Sequence, residues 1–320
     1  MPVVNRPTQR RRRLSTQDIQ RAIWIVLAAL VASLALFGGY YYWDRYIRLG
    51  DKSPLELSVQ SLEQAIQKDP QNPDTRVALA KYYLEQGLYQ EALDQTKQVL
   101  SVYPEHEGAM LVSGIAFVRL NQPEAALEPL EKFVAARKDQ EMAKVDTSLE
   151  AAYYFLGESY VKLNRPAEAI PVLEEALTIN RTDADALYQL GLAYQANGQP
   201  EAALERYQQA VLFVPDFTEA YSGMIESYSA LNQPDYVAYA RGMQAFTLQD
   251  YKTAQTHLEY ATQALPDFAP AFLGLGLTYE KTGTLDAALT AIQRALDLDP
   301  DHFAARQALG RIQAALETKS

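Results

Sequence analysis

The 320-residue chain contains no cysteine. That absence excludes disulfides, thiolate metal sites, cysteine nucleophiles and the cysteine-linked lipid anchor of bacterial lipoproteins, while leaving the redox compartment open. Histidine is almost as scarce: His106, His257 and His302 are scattered without metal-ligand spacing, and two of them stand beside turn positions. No phosphate-binding glycine loop occurs, because the glycines recur at helix-contact spacing instead. The sequence thus offers no catalytic, cofactor-binding or metal-ligating set, and the chain reads as a non-enzyme without a cofactor. With 48% hydrophobic and 22% charged residues, its composition is that of ordinary folded protein.

Charge-free apolar sequence is confined to one place. Residues 22–43, AIWIVLAALVASLALFGGYYYW, carry no charge. At about 1.5 Å per residue they extend roughly 33 Å, enough to cross a hydrocarbon core. Trp24 near one end and Tyr40, Tyr41, Tyr42 and Trp43 at the other suit the two membrane interfaces. Arg6, Arg10, Arg11, Arg12, Arg13 and Arg21 precede the run. Positive-inside asymmetry then makes residues 1–21 a basic cytoplasmic tail, 22–43 a single transmembrane helix and 44–52 a short linker. Residues 44–320 are expected outside the cytoplasm, in a periplasm or at the cell exterior. A cleaved signal peptide, cut near Ser33-Leu34-Ala35, is the alternative, but the apolar run continues past that point. Beyond residue 21 there remain 23 Lys and Arg against 39 Asp and Glu, a net charge of −16. Such a domain does not hold nucleic acid by counterion release.

The rest of the chain repeats itself. Gly114, Gly157, Gly191, Gly242, Gly276 and Gly310 follow one another at 43, 34, 51, 34 and 34 residues. Ala92, Ala126, Ala169, Ala203, Ala254 and Ala288 keep the same intervals, with the same two irregular steps. A period near 34 marks a stacked array of helical repeats. Within the unit that begins ADALYQLGLAYQ at residue 184, Leu187, Leu190, Gly191 and Tyr194 form one stripe of a first helix. Gly198 can end that helix and Pro200 can open the next, which carries Ala203, Tyr207 and Ala210. Gly191 and Ala203 are small where two antiparallel helices approach closely.

These residues resemble the tetratricopeptide repeat family. Its large residue at position 4, Leu at 7, Gly or Ala at 8, aromatic at 11, Gly at 15, Ala at 20, large residue at 24, Ala at 27 and Pro at 32 are met by Leu187, Leu190, Gly191, Tyr194, Gly198, Ala203, Tyr207, Ala210 and Pro215. The unit from 269 to 302 matches with Phe272, Leu275, Gly276, Tyr279, Gly283, Ala288, Ile292, Ala295 and Pro300, and that from 73 to 106 with Leu79, Ala80, Tyr83, Gly87, Ala92 and Pro104. Units 107–140 and 150–183 lack the closing proline, having Lys138 and Arg181 there. Residues 53–72 read as a second helix alone and 303–317 as a first helix alone. The resemblance implies an all-α right-handed α-solenoid following the transmembrane helix. It also implies that the motif residues are core, since each helix pair buries its stripe only against its neighbours.

Both irregular steps carry information. The nine extra residues in RKDQEMAKVDTSLE, 137–150, extend a helix or loop at the rim. The seventeen extra residues are half a unit: TEAYSGMIESYSALNQP, 218–234, is spaced as a first helix and is followed by a complete pair. One helix too many reverses the alternation, so a break or a sharp change of curvature is expected near 232–236. That boundary separates a first subarray, 53–234, from a second, 235–317, with a C-terminal capping helix.

The family resemblance also implies where partners bind. First helices line its concave wall at positions 5 and 9, here Val77, Leu111, Tyr154, Tyr188, Tyr239 and Leu273, and Lys81, Ile115, Glu158, Leu192, Met243 and Leu277, with Ser222 and Glu226 between. Apolar and aromatic residues on this second face suit a groove for an extended or helical segment of a protein or peptide partner. The Lys and Asn pair with which chaperone-binding members hold a C-terminal carboxylate is absent, since the pairs are Val77 with Lys81, Leu111 with Ile115 and Tyr154 with Glu158. The expectation is a membrane-anchored scaffold, similar to bacterial tetratricopeptide proteins of envelope assembly or chaperone-like quality control. Alternatives are an accessory subunit of a membrane enzyme such as a polysaccharide or cell-wall synthase, and an organelle-surface receptor with its repeats in the cytosol.

Overall fold

A computed structural model describes residues 54–318 and, before them, only Trp24 and Ser33. The basic tail, the expected span at 22–43 and the linker lie outside the described residues. Among the described residues no helix is long and apolar enough to cross a membrane. The chain divides into two compact units, Met1–Lys68 and Asp69–Ser320. The first holds helix α1 (Pro54–Lys68). The second is wholly helical among its described residues: α2 (Pro73–Glu85), α3 (Tyr89–Val102), α4 (Glu107–Arg119), α5 (Pro123–Arg137), α6 (Thr147–Lys162), α7 (Pro166–Ile179), α8 (Ala184–Ala196), α9 (Pro200–Phe213), α10 (Thr218–Ala230), α11 (Pro234–Thr247), α12 (Tyr251–Ala264), α13 (Ala269–Thr282), α14 (Leu285–Leu298) and α15 (Phe303–Glu317).

Two kinds of helix alternate, and their ends tell them apart. Four of the first helices, α2, α4, α6 and α8, start at a side-chain cap: Asn72, His106, Asp146 and Asp183 each accept a hydrogen bond from a first-turn N–H. They end in a left-handed residue, Gly87, Asn121, Asn164 or Gly198. Glycine and asparagine tolerate that conformation best, which is why the turn position reads G or N in every regular unit. Three of the second helices, α5, α7 and α9, open on a proline, Pro123, Pro166 and Pro200, where the missing N–H costs nothing. They close on an extended residue, Tyr103 after α3 (φ −124°, ψ 76°), Asn180 after α7 (φ −128°, ψ 91°) and Val214 after α9 (φ −127°, ψ 85°).

The glycine ladder faces a large residue sixteen positions on. A Cβ on Gly191 would lie 2.4 Å from the Tyr207 ring, and on Gly157 2.4 Å from Cγ of Leu173; Gly114 meets Leu130, Gly242 meets Leu258 and Gly276 meets Ile292 in the same way. All five large side chains are fully buried. Tyr207 is clamped from two sides, because a Cβ on Gly223 of α10 would also reach its ring at 2.4 Å. The contact that keeps Gly191 small is therefore the Tyr207 ring rather than Ala203.

The odd helix is α11. It opens as second helices do, with Pro234 after Gln233 (φ −112°, ψ 71°), close to Gln199 before α9 (φ −116°, ψ 65°). Yet it ends as first helices do, with the left-handed Gln249 (φ 62°) beyond it. It packs against α10 before it and against α12 and α13 after it. Leu258 of α12 then lies between Gly242 of α11 and Gly274 of α13, as Tyr207 lies between Gly191 and Gly223. The alternation thus restarts at α11. The first-helix ladder runs α2, α4, α6, α8, α10 and begins again as α11, α13, α15. Enclosed from several directions, α11 buries Val237, Ala238, Tyr239, Ala240, Gly242, Met243 and Ala245. A single core cluster passes through residues 232–236, joining Tyr221 and Met224 to Tyr239, Met243 and Leu258.

The other insertion lengthens the end of α5 and adds a short 3-10 turn, Ala143–Val145. Arg137 pins it, donating to Glu107 at 2.6 Å and to Asp146, the cap of α6, at 2.8 Å.

These contacts set opposite signs for one substitution at two rungs. Gly191→Ala should lower the unfolding midpoint, at a cost of about 1–3 kcal/mol for an overpacked core. Gly310→Ala, on the last helix with no heavy atom within 4 Å of the new methyl, should raise it by about 0.5–1 kcal/mol, since alanine loses less backbone entropy in a helix. Denaturant melts of the two variants beside the parent chain check both signs.

Candidate partner-binding groove

Turning about 100° from the core stripe leads to the face that the sequence marks for binding. On neighbouring helices α4, α6 and α8 it shows Leu111 and Ile115, Tyr154 and Glu158, and Tyr188 and Leu192; Ser222 and Glu226 of α10 follow. Leu111, Ile115, Tyr154, Tyr188 and Leu192 are half-buried, each with an open side. Lys81 of α2 is exposed. Val77, four residues before it, is 5% exposed and packs with Val99 and Ala109, so it serves the core.

Tyrosine rings on this wall are braced by aromatic neighbours. Tyr154 meets Phe155 edge-on at 4.9 Å between centroids, and Tyr188 lies 5.1 Å from Phe217 and 5.9 Å from Tyr207. Bracing of this kind fixes a ring face at little entropic cost to a later binding event. Burial, and then the charges of Glu158 and Asp185, push the Tyr154 hydroxyl above its usual range; burial, then Glu219 and Glu226, do the same to Tyr188. Both hydroxyls stay protonated at neutral pH and able to donate.

Carboxylates crowd between the rings. Asp185 is raised by burial first and then by Asp183; Arg119 opposes them, and Glu158 and Glu219 add smaller upward pushes. Glu150 is pushed up to about 7 by burial and by Asp183. Asp183 is held as the cap of α8, accepting from the N–H groups of Asp185 at 2.9 Å and Ala186 at 3.1 Å. Glu158 is 6% exposed. One of its oxygens takes Lys162 at 2.9 Å; the other, Oε2, is buried without a hydrogen-bond partner. Position spacing alone did not single out Asp183, Asp185 or Glu219, because acidic residues on a repeat surface read as a solvated face. Their tertiary grouping follows from the stacking of α6, α8 and α10.

The remaining marked residues lie elsewhere. Tyr239 and Met243 are each 7% exposed and belong to the continuous core. Leu273 and Leu277 of α13 are half-buried. All four line one apolar cavity of about 410 Å³, whose other walls come from α9, α10 and the start of α15. Restarting the alternation at α11 turns its first-helix face towards a cavity that the second helix α9 also lines, which is why one sequence row is divided between an open wall and a cavity. Two histidines are structural: His106 and His302 accept from Ala109 and Ala305 as caps of α4 and α15.

Comparisons with known proteins agree with the repeat architecture. A family model described as tetratricopeptide repeat matches residues 58–100 and 160–228, and a second with the same description matches 111–186, 239–303 and 279–318. Together they cover about three quarters of the chain. No curated protein matches. Among solved structures, a crystal structure of MamA is 25% identical over 54% of this chain and 96% of its own, with a TM-score of 0.47. YrrB, described as a tetratricopeptide protein with an unusual peptide-binding site, is 19% identical over 78% of this chain and 98% of its own, with a TM-score of 0.43. A tetratricopeptide protein from Parabacteroides merdae is 16% identical over 86% and 98%, with a TM-score of 0.46.

The Glu150–Asp183 pair makes stability depend on pH. Glu150 titrates near 7 in the folded chain against an ordinary 4.5, so between those values the folded state holds a proton that the unfolded state has released. Stability should rise as pH falls from about 8 towards 4.5, and Glu150→Gln should remove that slope while stabilising the fold most above pH 7. Thermal melts of both proteins at pH 5, 6, 7 and 8 measure it.

Proposed function

From the premise that the chain belongs to the tetratricopeptide repeat family, whose members mediate protein–protein interaction and bind peptides, we propose that it is an interaction scaffold binding a partner segment along the first-helix wall of α4, α6, α8 and α10. One observation carries the reading. Tyr154, Tyr188 and Leu192 remain half-open: Tyr188 and Leu192 lean one side on the core cluster and leave the other uncovered, and both rings are already braced. Apolar and aromatic surface left in water stabilises nothing until a partner covers it. No catalytic family matches, and His106 and His302 are occupied as caps.

Membrane attachment is part of the proposal. The charge-free stretch 22–43 and the arginines before it support a single-pass anchor with the repeats on the extracytoplasmic side. A tethered scaffold gains effective concentration for partners in the same membrane or the adjoining compartment, which suits envelope assembly or chaperone-like quality control.

Affinity capture from native membranes tests the groove, comparing the full chain with the Tyr154→Asp, Tyr188→Asp, Leu192→Asp triple variant at matched helix content by circular dichroism. The expected outcome is a partner retained by the parent chain and reduced at least tenfold by the variant. Retention of the same proteins by both would overturn the reading. A C-terminal topology reporter, active only outside the cytoplasm, tests the anchor separately.

A further inference from the structure

Charge on the α6–α8–α10 wall is unbalanced in a specific way. Glu158 stands on the α6 row that faces α8, more than nine-tenths buried, and its Oε2 has no hydrogen-bond partner. A buried carboxylate oxygen left unpaired costs free energy that a donor would recover. The neighbouring carboxylates do not supply one. Asp185 and Glu219 form no ion pair among the described residues, and Glu226 already accepts from Gln195. Two cations stand nearby: Lys162 is engaged with the other oxygen of Glu158, and the Arg119 guanidinium lies 4.9 Å from the Phe155 ring. Neither reaches Oε2 within hydrogen-bond distance. Of the two braced rings, Tyr154 feels the charges of Glu158 and Asp185, and Tyr188 those of Glu219 and Glu226. An aromatic face beside a carboxylate is the environment that holds an ammonium or, better, a planar guanidinium.

We propose that this part of the groove is a cation-recognition site for arginine or lysine side chains of the partner segment, with Glu158 and Asp185 accepting from the cationic group and Tyr154 and Tyr188 supplying ring faces for its stem. The inference rests on the groove reading above and adds the chemistry of what enters it. Glu219 and Glu226, one helix further along, extend the same preference to a second basic residue of an extended chain. Adjacent helices of the array are about 8–10 Å apart, so first helices two elements apart present their rows to alternate residues of such a segment rather than to a single one. Lys162 holds Oε1 of Glu158 from a side chain that is 35% exposed, so the incoming cation is the one that takes Oε2.

The test uses the full chain in detergent with a fluorescein-labelled decapeptide alternating arginine and alanine, beside one alternating glutamate and alanine, read by fluorescence anisotropy. Only the arginine peptide should bind. E158Q/D185N should weaken it at least tenfold, while E124Q/E201Q, which removes the same charge from exposed positions on second helices α5 and α9, should change it less than twofold. Circular dichroism must show equal helix in all three proteins. Equal weakening by both double variants would mean attraction to diffuse negative charge and overturn the site, as would no binding of the arginine peptide by the parent chain. Tight binding of calcium or magnesium with no competition by the peptide would also overturn it, assigning the carboxylates to a metal. Membrane capture keeps the two readings apart: a partner lost by the Tyr154, Tyr188, Leu192 variant but fully retained by E158Q/D185N leaves the groove standing and the basic-segment inference refuted.

Discussion

Everything in this fold hangs on how closely a first helix can approach a second. A glycine on one helix and a fully buried large side chain on the other make the contact, and any side chain at the glycine would overlap it. The large residue does more than fill a pair. Tyr207 touches glycines of both α8 and α10, so one ring joins a pair to the helix that follows. Because each large residue belongs to two neighbours at once, no pair is complete without the next, which is the physical reason the unit recurs. The same geometry explains why the core tolerates a change from tyrosine to leucine or isoleucine at that place: volume and position matter, while the chemistry of the ring does not.

The extra helix shows how much freedom that rule leaves. α11 satisfies it twice, once with the entry of a second helix and once with the exit and glycine of a first. The core passes through unbroken. What changes is the face on which first helices present themselves, so the rows that a regular array would align into one wall are divided. The α4–α10 rows stay open, whereas the α11 and α13 rows close on a cavity beside α9. A local half-unit thus changes which first-helix rows stay open while leaving the core continuous.

Function then falls to the residues the packing rule ignores. On the open wall those are rings held by other rings and crowded carboxylates, of which Glu150 is pushed up to about 7 and Asp185 is raised. Surfaces selected only for solubility spread charge of both signs, and a run of like charge across three helices opposes stability instead. Such a cost on a scaffold whose core is otherwise regular is what supports the proposed groove, in keeping with the general rule that sites are grafted on folds.

The period was legible from the glycine and alanine positions alone, and with it the all-α class, the motif core and the half-unit at 218–234. Short-range physics suffices there, since helix ends, small contacts and stripes are written within one unit. The carboxylate grouping was not legible. Glu150, Asp183, Asp185 and Glu219 belong to three helices, and only stacking sets them side by side. Nor did the row of positions 5 and 9 reveal its own division, because Val77, Tyr239 and Met243 carry the same spacing as Tyr154 and Tyr188 yet are covered by neighbours that the local sequence does not name. Burial of a repeat surface depends on what the adjacent repeat does with its helices. The sequence by itself determined a repeating helical chain with a candidate wall; tertiary structure alone decided which parts of that wall remain open, because coverage is a property of contacts between units.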